Sequence, residues 1–286
     1  MSLIIATLSG AAVLVPLVVA MNLLFRVSGV ANFGAGHFTV FAGSFAAYFA
    51  SLGAFTSALL TVLATVVASV VAYFTAILPA RRANVAPIGL TISTLGFGLV
   101  LGWLTHEIFG GAAHNIEPWV GGTVEILGTR VSVQRLVVIG AAAVLLFCLY
   151  LIFDRTLIGR TLAAVAQDSE LAEMYGVRSR KFELLAWVVG GVGLAAGGLF
   201  QASLASVSVD TAPILLVNTF VAAVIGGLGS LAGSVAGAVV LSAGIAVTTE
   251  IGFGGKESVV VLLVLAAVLV VRPRGLFGSG AIGERV

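Results

Sequence analysis

The side chains able to do chemistry in this sequence are few, and most are uncharged polar groups inside long apolar runs. An unpaired polar group in an apolar phase costs about 2–7 kcal/mol. Each one must therefore face another protein group or a wet cavity. Two interpretations are open for each residue: hydrogen bonding between helices, or lining a path for a polar solute. The candidates for a solute path are Asn22, Asn32, His37, Ser93, Thr94 and Asn218.

Asn32 and His37 are the strongest of these candidates because glycines surround them in Asn-Phe-Gly-Ala-Gly-His. Gly34 and Gly36 weaken a helix at this point. A weakened helix opens backbone groups to a polar solute. Asp210 and Glu250, in contrast, lie near predicted helix ends where water reaches them, which argues against a proton relay.

A second group of polar residues lies in the segment 159–176, which is alanine-rich and favours helix. Asp168, Ser169 and Glu170 suit a helix start, and Gly176 suits a helix end. Leu171, Met174 and Tyr175 share one face because they are three and four residues apart. The pattern predicts a short amphipathic helix that either rests on lipid headgroups or docks on a soluble partner. Its acidic residues disfavour anionic lipid and favour the partner.

A third pattern consists of small residues. Gly229, Gly233 and Gly237 are spaced by four and so lie on one face of a helix. Helices in lipid associate through close packing, which small residues permit. We predict that these glycines form a packing face between two membrane helices.

The sequence lacks the motifs of several other kinds of functional site. The sequence has no His-Glu-x-x-His zinc motif and no Gly-x-Ser-x-Gly nucleophile turn. Residues 252–256 lack the glycine spacing of a phosphate loop. The one cysteine, Cys148, has no disulfide partner in the chain, and no Cys/His spacing suggests a metal site. We expect no catalytic site, no bound metal or cofactor, and no nucleic-acid partner.

The composition decides which elements must position these residues. Hydrophobic residues make up 60% of the 286 residues and charged residues 9%, against about 25% charge in soluble domains. We predict an all-α, polytopic transmembrane helix bundle with about eight or nine membrane segments. The prediction includes the option that one of these segments is a broken helix that does not cross the membrane fully. The best candidates for the broken helix are the seventh and eighth of the nine apolar runs. The runs are 6–25, 34–52, 56–78, 87–105, 133–153, 183–204, 212–228, 232–250 and 258–272.

Basic residues set the expected orientation. The positive-inside rule places the loop 154–182 in the cytoplasm. Alternation of nine helices then puts 11 of the 14 basic residues on that side and leaves Arg130, Arg135 and Lys256 outside. The N-terminus is expected outside and the C-terminus in the cytoplasm. The cytoplasmic set is Arg26, Arg81, Arg82, Arg155, Arg160, Arg178, Arg180, Lys181, Arg272, Arg274 and Arg285.

Four blocks of this sequence resemble the membrane-spanning subunits of ABC importers for branched-chain amino acids, the LivH type, a family that also serves amides and urea. The similar blocks are 32–48, the loop segment 159–176, the glycine-rich 225–233 and the C-terminal 271–278. Ala35, His37 and Ala232 depart from the family's usual His, Glu and Pro.

The resemblance implies that residues 1–286 are a single ABC-importer transmembrane domain in a prokaryotic inner membrane, with its coupling loop within 154–182. It implies a second membrane permease subunit, identical or paralogous, two cytoplasmic ATPase subunits that use ATP and Mg, and an extracytoplasmic solute-binding protein. The expected solutes are branched-chain or other hydrophobic amino acids, amides or urea. The residues implied in ATPase coupling are Arg160, Asp168, Glu170, Leu171, Glu173, Met174, Tyr175 and Gly176.

A secondary transporter or a facilitator channel for a small neutral solute is the alternative. Proton coupling would require acidic residues at mid-membrane depth, and the sequence offers few. A facilitator for a neutral solute has no such requirement, so this alternative stays open.

Overall fold

A computed structural model describes residues 2–126, 128–252, 255, 257–272 and 275–277. Arg274, Arg285 and Lys256 of the predicted charge pattern lie outside these residues. The described helices are α1 (Ser2–Ser28), α2 (Ala35–Tyr48), α3 (Ala54–Ala72), α4 (Leu78–Arg82), α5 (Pro87–Phe109), α6 (Val133–Arg155), α7 (Leu157–Gln167), α8 (Ser169–Met174), α9 (Ser179–Leu204), α10 (Ala212–Gly226), α11 (Leu231–Glu250) and α12 (Glu257–Val271).

The predicted all-α membrane bundle is confirmed. Seven helical segments in the described part of the chain are long and apolar enough to cross a membrane. One of them joins α3 to α4 through the π-helical turn Tyr73–Ile77. The shorter helices α12 and α2 account for the remaining two predicted runs, at 15 and 14 residues. The protein is therefore a multi-pass membrane protein.

Neither of the two candidates for a broken helix is interrupted within the helix that forms. The eighth run is the continuous helix α11, and the seventh forms α10 after a 3-10 turn at Val209–Thr211. The non-helical residues 29–34 before α2 lie almost entirely in the gap between the first two predicted runs, 6–25 and 34–52. The predicted run 34–52 contains α2, which ends at Tyr48, and a separate 3-10 turn at Ala50–Leu52.

α1 lies at the centre of the bundle, packed against α9 and α11. Its residues 11–24 are all buried, as expected for a helix that is apolar around its whole circumference. Close packing is possible because α9 places small residues against it. A Cβ added at Gly193 would lie 2.8 Å from the carbonyl oxygen of Pro16.

The bundle has two distinct ends. A two-stranded antiparallel hairpin, β1 (Thr123–Ile126) and β2 (Thr129–Ser132), lies beside the start of α1 and the end of α11, and we call this the hairpin end. The sequence did not predict this hairpin. The opposite end carries α7 and α8 beside the end of α1 and the start of α9, and we call it the loop end.

Candidate functional site

A non-helical turn at residues 29–34 enters the bundle between α1 and α2. Its polar groups are largely paired inside the protein. The amide of Phe33 donates to Thr94 Oγ1 at 2.9 Å, and the amide of Gly34 donates to Asn32 Oδ1 at 3.0 Å. Thr94 Oγ1 in turn donates to the carbonyl of Thr91. Non-helical backbone at membrane depth is tolerated only where protein or a wet cavity surrounds it, and here α5 supplies that cover.

The turn brings three of the predicted path residues together. Asn32 and Thr94 hold it closed, and His37 follows within the first turn of α2. The Nδ2 of Asn32 and the Nδ1 of His37 are buried and form no hydrogen bond with described residues. Buried polar atoms without partners are costly. This region therefore has hydrogen-bonding capacity that the described part of the chain does not use.

Two other predicted path residues have local or structural contacts. Ser93 is half-buried and donates to the carbonyl of Gly89 one turn earlier in α5. Asn22 is fully buried. Its Nδ2 donates to Ser234 Oγ at 2.8 Å and its Oδ1 accepts from the amide of Gly229 at 3.1 Å. These contacts join α1 to α11 and to the turn before it, so the environment of Asn22 favours a structural role.

Asn218 lies apart from this group, in a cavity of about 730 Å³ that opens at the hairpin end. The first half of α1 and parts of α9, α10 and α11 form its walls, and β2 with the start of α6 lies over it. We call it the hairpin-end cavity. Its polar lining includes Gln201 and Ser242, which the sequence prediction did not select as path residues.

The predicted coupling loop forms two helices, because the chain extends at Asp168 between α7 and α8. Asp168 Oδ1 accepts from the amide of Leu171 at 2.9 Å, as predicted for a helix start. The amides of Gly176 and Val177 donate to the carbonyls of Glu173 and Ala172. With Gly176 at φ +83°, these bonds form a Schellman ending.

The predicted apolar face of α8 points away from the protein. Leu171 is 51% exposed, Met174 84% and Tyr175 82%, whereas Ala172 on the other side is buried. Arg160, Asp168, Glu173 and Gly176 are also exposed. The backbone of Glu170 lies in α8, but its side chain is outside the described part of the chain. The structure thus presents a short capped helix with an uncovered apolar tip.

A polar cluster missed by the sequence prediction lies directly beside this loop. Arg81 Nη2 forms a 2.8 Å ion pair with Glu183 Oε1, and Tyr73 Oη lies 3.4 Å from Glu183 Oε2. Arg81 also donates to the carbonyl of Ser28, the last residue of α1. The available signal was Glu183 itself, an acid at the start of an apolar run.

The loop is joined to the same cluster through α9. The hydroxyl of Ser179, the first residue of α9, donates to the carbonyl of Ser169 in α8 at 3.2 Å. Glu183 follows one turn later on α9. A chain of contacts therefore runs from α8 through α9 and Arg81 to the residue that precedes the non-helical turn.

The predicted glycine face is present only in part. Gly233 and Gly237 lie on α11 against α10, where an added Cβ would collide with the backbone oxygens of Gly226 and Ala222. Gly229 lies outside α11, in the turn before it, with φ +81°. The prediction was wrong for Gly229 because α11 begins at Leu231, two residues later.

Among the described residues, no group of three His, Cys, Asp or Glu side chains is arranged to hold a metal ion. The charged residues instead concentrate at the two ends of the bundle. Arg26, Arg81, Arg82 and the basic residues of the loop lie at the loop end, while Arg130 and Arg135 lie at the hairpin end.

The chain has sequence relatives among known transport proteins. The permease protein BraD of Pseudomonas aeruginosa, of a high-affinity branched-chain amino acid transport system, is 26% identical over 161 residues, which are 56% of this chain and 52% of BraD. The probable branched-chain amino acid transport permease protein LivH of Methanocaldococcus jannaschii is 24% identical over 224 residues, 72% of this chain and 69% of that protein. The chain thus spans about half the length of BraD and 69% of the archaeal protein.

Among solved structures, PsaBC from Streptococcus pneumoniae in complex with Fab aligns with 93% of this chain and 88% of that chain, at a TM-score of 0.48 and 15% identity. The family comparison is more extensive. Residues 3–272 match the family described as "Branched-chain amino acid transport system / permease component". With nearly its whole length matched, the chain belongs to this family of transport permease components.

Proposed function

We propose that this protein is the membrane-spanning permease subunit of an ATP-driven importer for branched-chain or other hydrophobic amino acids, or for related small neutral solutes. Family membership and the multi-pass bundle support transport as the activity. The observation that carries the ATP-driven part of the proposal is α8, a rigidly capped helix whose apolar tip no other part of the described chain covers.

The tip of α8 has the chemistry of a docking element. Exposed Leu171, Met174 and Tyr175 form a contiguous apolar group on a loop outside the membrane helices, and such groups mark interaction sites. The caps hold the helix in one conformation, so little entropy is lost when a partner binds. A groove on a cytoplasmic ATPase, basic at its margin to match Glu173, is the proposed complement.

The contacts behind α8 provide a route for the coupling. When the ATPase pair closes and displaces α8, the Ser169–Ser179 hydrogen bond carries the start of α9 with it. Glu183 moves with α9, and its ion pair with Arg81 extends the displacement to the end of α1. In this proposal the turn at 29–34 and its neighbours Asn32 and His37 respond by opening the solute path to one side or the other.

The same proposal includes partners other than the ATPase subunits. A second membrane subunit, identical or paralogous, would complete the solute path, and a solute-binding protein would dock at the hairpin end. The loop end would face the cytoplasm, consistent with the basic residues concentrated there. ATP and Mg would be bound by the ATPase subunits. Low charge around the turn at 29–34 suits a neutral or zwitterionic solute.

Co-purification from native membranes tests the proposal. The tagged chain should retain ATPase subunits, and vesicles in which the loop end of the complex faces the lumen should accumulate labelled L-leucine, an amide or urea only when ATP is supplied inside. Solute movement by the purified chain with no ATPase attached would contradict the importer and favour a facilitator channel. Loss of ATPase retention on Met174→Glu, with retention kept in Val124→Glu at the hairpin end, would locate the contact on α8.

A further inference from the structure

The hairpin-end cavity has a polar floor. Three residues line the cavity at the greatest distance from the hairpin end and so form its floor. They are Leu14 on α1, Asn218 on α10 and Ser242 on α11. Ser242 is 3% exposed, and its hydroxyl has no hydrogen-bond partner among the described residues. No hydrogen bond joins the side chains of Asn218 or Gln201 to another described residue. The side chains of Asn218, Gln201 and Ser242 therefore line the cavity without a hydrogen-bond partner in the described part of the chain.

The rim of the cavity carries charges of both signs. Arg130 on β2 and Arg135 on α6 line it, and neither forms an ion pair with another described residue. Glu250, at the end of α11, lines it as well and accepts a hydrogen bond from the hydroxyl of Ser2. A rim with free guanidinium groups and a carboxylate attracts a molecule that itself carries both charges.

Between rim and floor the walls are apolar. They are formed by side chains of α1, α10 and α11, among them Ile5, Val13, Ile214, Leu215 and Ile245. The volume of about 730 Å³ lies within the range of about 300–1,000 Å³ usual for small-molecule sites. Apolar walls with a few convergent polar groups are the usual composition of such sites.

We propose that the hairpin-end cavity is a solute-binding site contained within one copy of this chain, and that it takes an α-amino acid with an apolar side chain. The charged α-groups pair with the rim or with the floor amides, and the side chain contacts the walls. This inference rests on the proposed import function and places a binding step inside the subunit, before the turn at 29–34.

The polar floor argues for an amino acid over a membrane lipid. An acyl chain reaching the floor would set methylene groups against Ser242 and Asn218 and leave both side chains unpaired. An unpaired buried polar group costs about 1–3 kcal/mol. A compact zwitterion can supply donors and acceptors there and also bury an aliphatic side chain.

Cysteine protection in the purified, ATPase-bound complex tests the site. Cys148 is first replaced by Ser, and Ala246→Cys then places a thiol on the cavity wall. Val217→Cys on α10 is the matched control, since Val217 is 46% exposed and does not line the cavity. Saturating L-leucine should slow alkylation of Ala246→Cys by about tenfold or more and leave Val217→Cys unchanged. Isoamylamine and 4-methylpentanoate, each lacking one charged group, should protect much less.

Two results would overturn the inference. One is equal alkylation of Ala246→Cys with and without L-leucine in a complex that still imports L-leucine, which leaves the importer proposal intact. The other is protection that requires added phospholipid and is insensitive to L-leucine. Failure of ATP-dependent uptake for every solute, with protection by L-leucine retained, would instead contradict the importer proposal and support the cavity.

Discussion

Arg81 Nη2 lies 2.8 Å from Glu183 Oε1, and this ion pair joins the helix that ends in α4 to the start of α9. The Glu183 side chain is 8% exposed and that of Arg81 is 38% exposed. The carboxylate is therefore the more desolvated partner, and the guanidinium offsets part of the cost of burying it. The pair lies between the loop that carries α8 and the end of α1, so its loss should affect folding and, if α8 couples to the ATPase as proposed, transport.

Removing the charge of Arg81 and removing that of Glu183 should lower the free energy of unfolding by different amounts. Arg81→Met leaves a buried carboxylate unpaired and should destabilise the protein by about 2 kcal/mol, below the 3–5 kcal/mol typical of fully buried pairs because Arg81 is partly exposed. Glu183→Gln should cost less, since Arg81 can turn toward water. Thermal unfolding of the purified variants measures both, and Arg81→Met combined with Glu183→Met should recover most of the loss. Equal, additive losses would argue against the pair as a coupled unit.

Charge on the tip of α8 should weaken the proposed ATPase contact and lower ATP-driven transport. Leu171→Glu and Met174→Glu place a carboxylate in the proposed ATPase groove, which would have to desolvate it. We expect ATP-dependent uptake in vesicles to fall at least about tenfold, as expected for the loss of a hot-spot contact near 1.4 kcal/mol. Both side chains are exposed, so the unfolding temperature should not change. Full uptake in both variants would refute the coupling role of α8.

Two asparagines provide a matched comparison of packing and binding. Asn22→Leu removes hydrogen bonds to Ser234 and to the Gly229 amide and should cost about 1–3 kcal/mol per group left unpaired. Asn218→Leu removes a half-buried amide without a hydrogen-bond partner in the described chain, and should leave thermal stability nearly unchanged while weakening L-leucine binding. The reverse pattern, a stable Asn22 variant and an unstable Asn218 variant, would contradict both assignments.

The contact between α10 and α11 should tolerate no side chain at Gly237. A Cβ there would collide with the backbone oxygen of Ala222, so the helices must separate. We expect Gly237→Ala to lower the unfolding temperature or prevent accumulation of the protein. Gly140→Ala on the exposed face of α6 is the control, because no atom lies within 4 Å of its added Cβ. There, helix propensity predicts a gain of about 0.5–1 kcal/mol.

Orientation can be measured directly by labelling from one side of the membrane. In a chain whose Cys148 is replaced, Val124→Cys on the hairpin should react with an impermeant thiol reagent in intact cells. Met174→Cys on α8 should react only after the cells are opened. Both positions are exposed in the structure, so a difference in rate reports the side of the membrane. Reaction of Met174→Cys in intact cells would reverse the proposed topology and exclude α8 as an ATPase contact.

The sequence alone determined the membrane segments and the form of α8, the helix proposed to contact the ATPase. Apolar length against the thickness of a bilayer is a local property, so most helix bounds were predicted within a few residues. The start and end of α8 depend on residues within the helix and immediately beside it, Asp168 and Gly176, which act on backbone groups a few positions away. The break before α2 was suggested by its glycines for the same reason.

Only the tertiary structure decided what each polar side chain does. Asn22 and Asn218 look alike in the sequence, yet one bonds to Ser234, 212 residues away, and the other faces a cavity. The ion pair of Arg81 with Glu183 and the hairpin-end cavity likewise join helices distant in the chain. A hydrogen bond or a cavity depends on which surfaces meet across the bundle, and the periodicity of a single helix carries no information about the face of its neighbour.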